Sequence, residues 1–210
     1  YYRDRDVATE AFKSGAFDLR AENQSKRWAT AYDFPALKEG KVKKILIPHE
    51  RPTGMQGFVF NTRKKFFSEP KVRLAINYAW DFEWTNKTLM YNAYKRTNSY
   101  FSNSELSSSG RLPDGEELKI LQKFKGQVPK QVFDEVYKAP QTDGSGNNRK
   151  NLRLALKLLR EAGWAVKDGK LVNRNGIPLK FELLIAYPSI ERLALPLKQS
   201  LKRLGIEMSI

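Results

Sequence analysis

The chain carries a single histidine, His49, next to Pro48 at the end of a predicted strand. A general base needs a partner within hydrogen-bond reach. Neither a Gly-x-Ser-x-Gly elbow nor a His-Glu-x-x-His helix occurs to supply one. His49 therefore reads as an ordinary loop or hinge residue. Cysteine is absent, which excludes disulfides, zinc–thiolate sites and thiol nucleophiles. There is no phosphate loop and no Gly-x-Gly-x-x-Gly. Asp143-Gly144-Ser145-Gly146-Asn147 spaces oxygen-bearing side chains as a calcium loop does, but Leu154 stands where the bidentate Glu would be. A turn is the better reading, and no metal or other cofactor is expected.

The aromatic residues offer binding chemistry instead. Trp80 and Trp84 stand four apart on a predicted helix, near Tyr78 and Phe82, and most of this group should be core. Tyr100 and Phe101 are different, because they lie in a polar stretch, residues 95–114, that holds seven Ser and Thr residues from Thr97 to Ser109. Long polar loops in compact domains are often functional, although a mobile surface loop fits the composition equally well. Aromatic rings lining a cleft would supply contact area, with a few polar groups fixing orientation.

The elements that must position these residues follow from periodicity. Helices are expected over residues 4–13, 24–32, 70–79, 114–124 and 152–162, with a further helix after Asp81 and another through Ile190, Leu193, Leu197, Leu201 and Leu204. Ser68 is the expected cap of the helix whose first turn holds Pro70. Strands are expected over 16–19, 42–47, 57–61, 179–186 and 206–210. A hairpin is expected around Lys167-Asp168-Gly169-Lys170. The last strand, helix and strand form a βαβ unit, hence a parallel pair. No run approaches the length of a membrane-spanning helix.

Net charge is +15 over 210 residues. Clustered cations would suit a nucleic-acid-binding module, the alternative reading. Here, however, basic residues are interleaved with acids, as in Arg3-Asp4-Arg5-Asp6 and Glu69-Pro70-Lys71. That distribution favours a basic surface without a dedicated nucleic-acid face.

Three ordered stretches resemble family 5 extracellular solute-binding proteins of ABC importers. The first runs from Ala11 through Gly15 to Leu19. The second joins Gly57-Phe58-Val59-Phe60-Asn61-Thr62 to Phe66, Phe67 and Val72-Arg73-Leu74-Ala75-Ile76-Asn77-Tyr78-Ala79, with Asp81 after it. The third is Leu158-Leu159-Arg160-Glu161-Ala162-Gly163-Trp164, with Asp168-Gly169, Asn175-Gly176 and Pro178-Leu179. Asn98 to Leu106 and Thr142 to Asn147 are similar to the YejA-like branch, which is linked to uptake of oligopeptides and peptide conjugates.

The resemblance implies an α/β fold: a type II periplasmic-binding-protein-like lobe, a mixed sheet flanked by helices, with a remnant of the other lobe. Residues 1–56 would end the first lobe, and 57–210 would form most of the second. It also implies a periplasmic, non-enzymatic, monomeric carrier. This carrier would bind an oligopeptide or peptide-conjugate ligand and work with an ABC permease and ATPase. The chain would be a piece of a protein more than twice as long. Cleft positions in relatives fall here on Gln56, Phe58, Tyr187, Ser189 and Glu191. Tyr100 and Phe101 join them from the reading of the polar loop.

Overall fold

Asp4 starts the first helix as the sequence dictates: its carboxylate accepts from the backbone N–H groups of Asp6 and Val7 at 2.7 and 2.9 Å. Those bonds, Val7's the stronger influence, hold the Asp4 carboxyl below its ordinary pKa. The computed structural model describes residues 1–108 and 110–210, and these divide into two units. The first comprises Tyr1–His49 with Asn86–Tyr94; the second comprises Glu50–Thr85 with Lys95–Ile210.

The first unit holds α1 (Arg5–Lys13), α2 (Ser25–Thr30) and α3 (Pro35–Lys38). Its centre is aromatic. Phe12 meets Phe17, Tyr32 and Phe34 at ring-centroid distances of 5.5, 6.5 and 6.4 Å. Arg20 donates to Thr9 and to the Tyr32 hydroxyl, which in turn donates to Glu22. Lys44 sits over the Trp28 ring, 4.3 Å from its centroid. Residues 16–19 and 42–47, expected as strands, form none. A strand exists only where a neighbour completes its ladder. Ile45, Leu46 and Ile47 instead lie outside any helix or strand and are exposed.

The second unit begins with an extended segment, then α4 (Lys65–Ser68) and α5 (Pro70–Ala79). Glu69 caps α5, not Ser68, which ends α4; the Glu69 carboxylate accepts from the Lys71 N–H at 3.2 Å. Next come α6 (Phe82–Leu89), of which only the part up to Thr85 belongs to this unit, α7 (Gly115–Gln122), α8 (Gln131–Asp134) and α9 (Arg149–Glu161). The hairpin β1 (Ala165–Lys167) and β2 (Lys170–Val172) pairs antiparallel around Asp168 and Gly169, both at positive φ. That is the geometry an Asp-Gly turn supplies. Then β3 (Lys180–Glu182), α10 (Pro188–Arg203) and β4 (Glu207–Ser209) complete the βαβ unit, with β3 and β4 parallel.

Helical spacing builds the core of this unit. Val72, Ala75, Ile76 and Ala79 of α5 face Ala155 and Leu159 of α9, and Ala194, Leu197 and Leu201 of α10 join the cluster. The alanines let α5 and α9 approach closely, and each fully buried leucine contributes roughly 1.5–3 kcal/mol. Residues 57–61 are not the buried strand expected from their composition. Phe58 and Phe60 turn onto the core, while Val59 between them is 94 % exposed. The alternation is that of a strand, but no strand pairs with it among the described residues. The predicted strand 179–186 is also shorter in fact, because β4 pairs with only three of its residues.

Candidate functional site

All seven candidate ligand-contacting residues fall in the second unit. Phe58 is half-buried, its ring edge-on to Trp80 at 5.6 Å. Its position is therefore fixed by packing. Gln56, two residues earlier, is exposed.

Tyr100 and Phe101 are 65 % and 53 % exposed, so they serve no core. Their loop is nevertheless built. The buried Ser99 hydroxyl donates to the Tyr100 carbonyl and accepts from the Ser108 N–H at 3.0 Å. The Thr53 N–H donates to the Ser102 carbonyl at 2.6 Å, and Asn103 donates to the Arg51 carbonyl. The structure thus brings the segment leading to Gln56 against the aromatic loop. Phe101 itself sits at φ +56°, a left-handed conformation that costs a non-glycine residue roughly 1–2 kcal/mol. Such strain, on an exposed ring, is characteristic of functional positions.

Tyr187, Ser189 and Glu191 stand together at the start of α10, where Tyr187 is the N-cap and all three are exposed. No hydrogen bond or ring contact ties them to Tyr100 or Phe101 among the described residues. The candidates thus stand at three places: Phe58 against Trp80, the Tyr100–Phe101 loop tied to residues 51–53 ahead of Gln56, and the first turn of α10.

Between α6 and α9 lies a polar cluster that the sequence did not reveal. Thr142 donates its hydroxyl proton to Asp81 Oδ1 at 2.6 Å and its N–H to Glu83 at 2.9 Å. Asn148 donates to the carbonyls of Tyr78 and Ala79, satisfying the open end of α5. Asp143 accepts from both the hydroxyl and the N–H of Ser145, which hold its carboxyl below the ordinary value. The segment is a turn, as expected, and no cluster of metal-ligating side chains occurs among the described residues. Arg96 donates to Asn77 at 2.5 Å and lies over the Phe82 ring. Burial lowers its pKa, with Tyr137 and Glu83 opposing. These residues are tens of positions apart in sequence; Asp81 and Thr142–Asn147 stood out singly, but nothing in the sequence joined them.

Helices and a parallel strand pair in this order define a lobe of a type II periplasmic binding protein, and solved structures agree. NikA from Brucella suis, solved with Fe(III)-EDTA, superposes with a TM-score of 0.58 at 20 % identity, covering 99 % of this chain and 35 % of that one. The oligopeptide-binding protein AppA from Bacillus subtilis, solved with a nonapeptide, gives 0.55 at 18 % identity, covering 98 % and 34 %. At the level of sequence, residues 1–210 match the profile described as bacterial extracellular solute-binding proteins, family 5 Middle, and the chain belongs to that family. It is 48 % identical over 213 residues to the "Probable peptide-binding protein YejA" of Agrobacterium fabrum, covering all of this chain and 34 % of that protein. The chain thus spans about a third of the length of the curated relatives it matches.

Proposed function

We propose that this chain is part of the substrate-binding component of an ABC importer, capturing oligopeptides or peptide-like solutes by hinge closure and delivering them to a permease. The observation that carries this reading is the match of the whole chain, end to end, to the family of extracellular solute-binding proteins and to a relative described as a probable peptide-binding protein. In this reading residues 1–56 end one lobe and 57–210 form most of the other, and the protein works as a monomer in the periplasm. It needs no cofactor and makes or breaks no bond.

The candidate residues take roles that their surroundings favour. Phe58, held by Trp80, gives a fixed apolar wall. Tyr100 and Phe101 lay exposed rings against solute side chains. Gln56, Ser189 and Glu191 offer polar groups, and Tyr187 offers both ring and hydroxyl. A net charge of +15 steers acidic or phosphate-bearing solutes over long range.

The test is native mass spectrometry of the full-length protein, purified without refolding. A retained peptide-like mass released on denaturation is the expected result. A clean apo mass, unshifted by a mixed peptide pool, would overturn peptide capture.

A further inference from the structure

A groove of about 670 Å³ lies where the Ser145–Asn147 turn enters α9, lined also by Arg149, Arg153 and Arg203 over a leucine floor. Arg149 and Arg153 are one helical turn apart and share a face of α9. Arg203 reaches the same groove from the last turn of α10. None of the three takes part in an ion pair among the described residues. Elsewhere on the chain lysines and arginines do pair, as Lys71 does with Glu161 and Lys119 with Glu116. The first turn of α9 carries no acid, and cations there oppose the helix dipole. Three arginines without ion-pair partners among the described residues thus line one groove with the half-buried Leu152 and Leu156.

We propose that this groove is a docking site for an acidic protein segment. Carboxylates of that segment pair with Arg149, Arg153 and Arg203, and an apolar side chain rests on Leu152 and Leu156. Guanidinium forks match carboxylates in bidentate geometry. The groove is far larger than a single small anion requires. The site lies apart from the candidate cleft residues, so it extends the carrier reading and does not depend on it.

The experiment uses the full-length protein and a fluorescein-labelled peptide of repeated Glu-Glu-Leu, followed by anisotropy. Binding should weaken roughly tenfold or more in Arg153→Glu/Arg203→Glu, which corresponds to about 1.4 kcal/mol. The neutral pair Arg153→Gln/Arg203→Gln should weaken it less, and added salt should weaken it in the parent. Solute retention by native mass spectrometry should be unchanged in both variants, which separates the groove from the cleft. Equal binding by the charge-reversed protein, or by a Gln-Gln-Leu peptide, would overturn the proposal. So would equal competition by inorganic pyrophosphate or by anionic vesicles. These 210 residues hold no cysteine, so Arg153→Cys, in a full-length background with any cysteine elsewhere replaced, gives a single label: failure of a maleimide dye to reach it in the folded protein would show the groove covered, and would also overturn the proposal.

Discussion

The hydroxyl of Thr142 lies 2.6 Å from Asp81 Oδ1 and binds a carboxylate that is 8 % exposed. A hydroxyl has one proton to give, and the shorter distance sends it to Asp81; Glu83, at 3.2 Å from the same oxygen, takes the Thr142 N–H instead. Thr142→Val keeps the shape and removes the donor. It should destabilise the second unit by about 1–3 kcal/mol, the penalty for stripping a partner from a buried polar group. Calorimetric melting of the intact protein reads the loss. An unchanged melting profile would mean that water replaces the hydroxyl.

Gly205 turns the chain from α10 into β4 at φ +80°, and a Cβ there would stand 2.6 Å from the Leu171 N. Its carbonyl accepts from that same N–H at 2.8 Å. Gly205→Ala therefore meets a backbone clash in a left-handed conformation. The expected cost is at least about 2 kcal/mol, with faster hydrogen exchange at the Leu171 amide. Exchange at parental rates would show that the hairpin moves aside.

Leu159 is fully buried in the core cluster, on the helix that packs against α5, whereas Leu154 is partly exposed on the same helix. Leu159→Ala should cost about 2–5 kcal/mol through lost burial and the cavity left behind. Leu154→Ala should cost under about 0.5 kcal/mol. Comparable losses at the two sites would contradict the packing of α9.

Phe101 links stability to binding. Replacing it with glycine releases a left-handed conformation that glycine adopts freely. Phe101→Gly should leave stability unchanged or raise it by up to about 1 kcal/mol. If the ring contacts solute, the same change should lower capture. A variant that is both less stable and fully competent in capture would assign Phe101 to structure.

The Asp143 turn should weaken in acid. Its carboxyl is held below the ordinary aspartate value of 3.8 by the Ser145 hydroxyl and N–H. A folded pKa below the unfolded one gives stability that is complete above the unfolded value and is lost as pH falls through the folded one. Asp143→Asn should therefore flatten the part of the acid-unfolding curve that lies below the ordinary value, with the variant slightly less stable than the parent at neutral pH and equal to it in strong acid. An acid limb identical to the parent's would exclude the turn as a contributor.

Helices were legible because their signal is local. Val72, Ala75, Ile76 and Ala79 are one face of one turn after another, and all four are buried. Strands were not, because a strand is a relation between two segments. Residues 42–47 and 57–61 have strand composition, yet neither pairs with another strand among the described residues. In the hairpin and in β3 with β4 the neighbour exists, and there the expectation holds. Of the site, Tyr100 and Phe101 stood out because rings in a polar loop are unusual. The bonds from Thr142 to Asp81 and Glu83, and the meeting of Arg153 with Arg203, join residues about fifty positions apart or more. No spacing rule reaches that far.

The bond from Thr53 to Ser102 has a mechanical meaning. With Asn103 clasping the Arg51 carbonyl, it makes the aromatic loop a passenger on residues 51–53. A pull on that short extended stretch is transmitted to the Tyr100 and Phe101 rings through two hydrogen bonds, and a load placed on the rings travels back the same way. The loop is thus tied to residues 51–53 at two points, so a displacement of either loads the other.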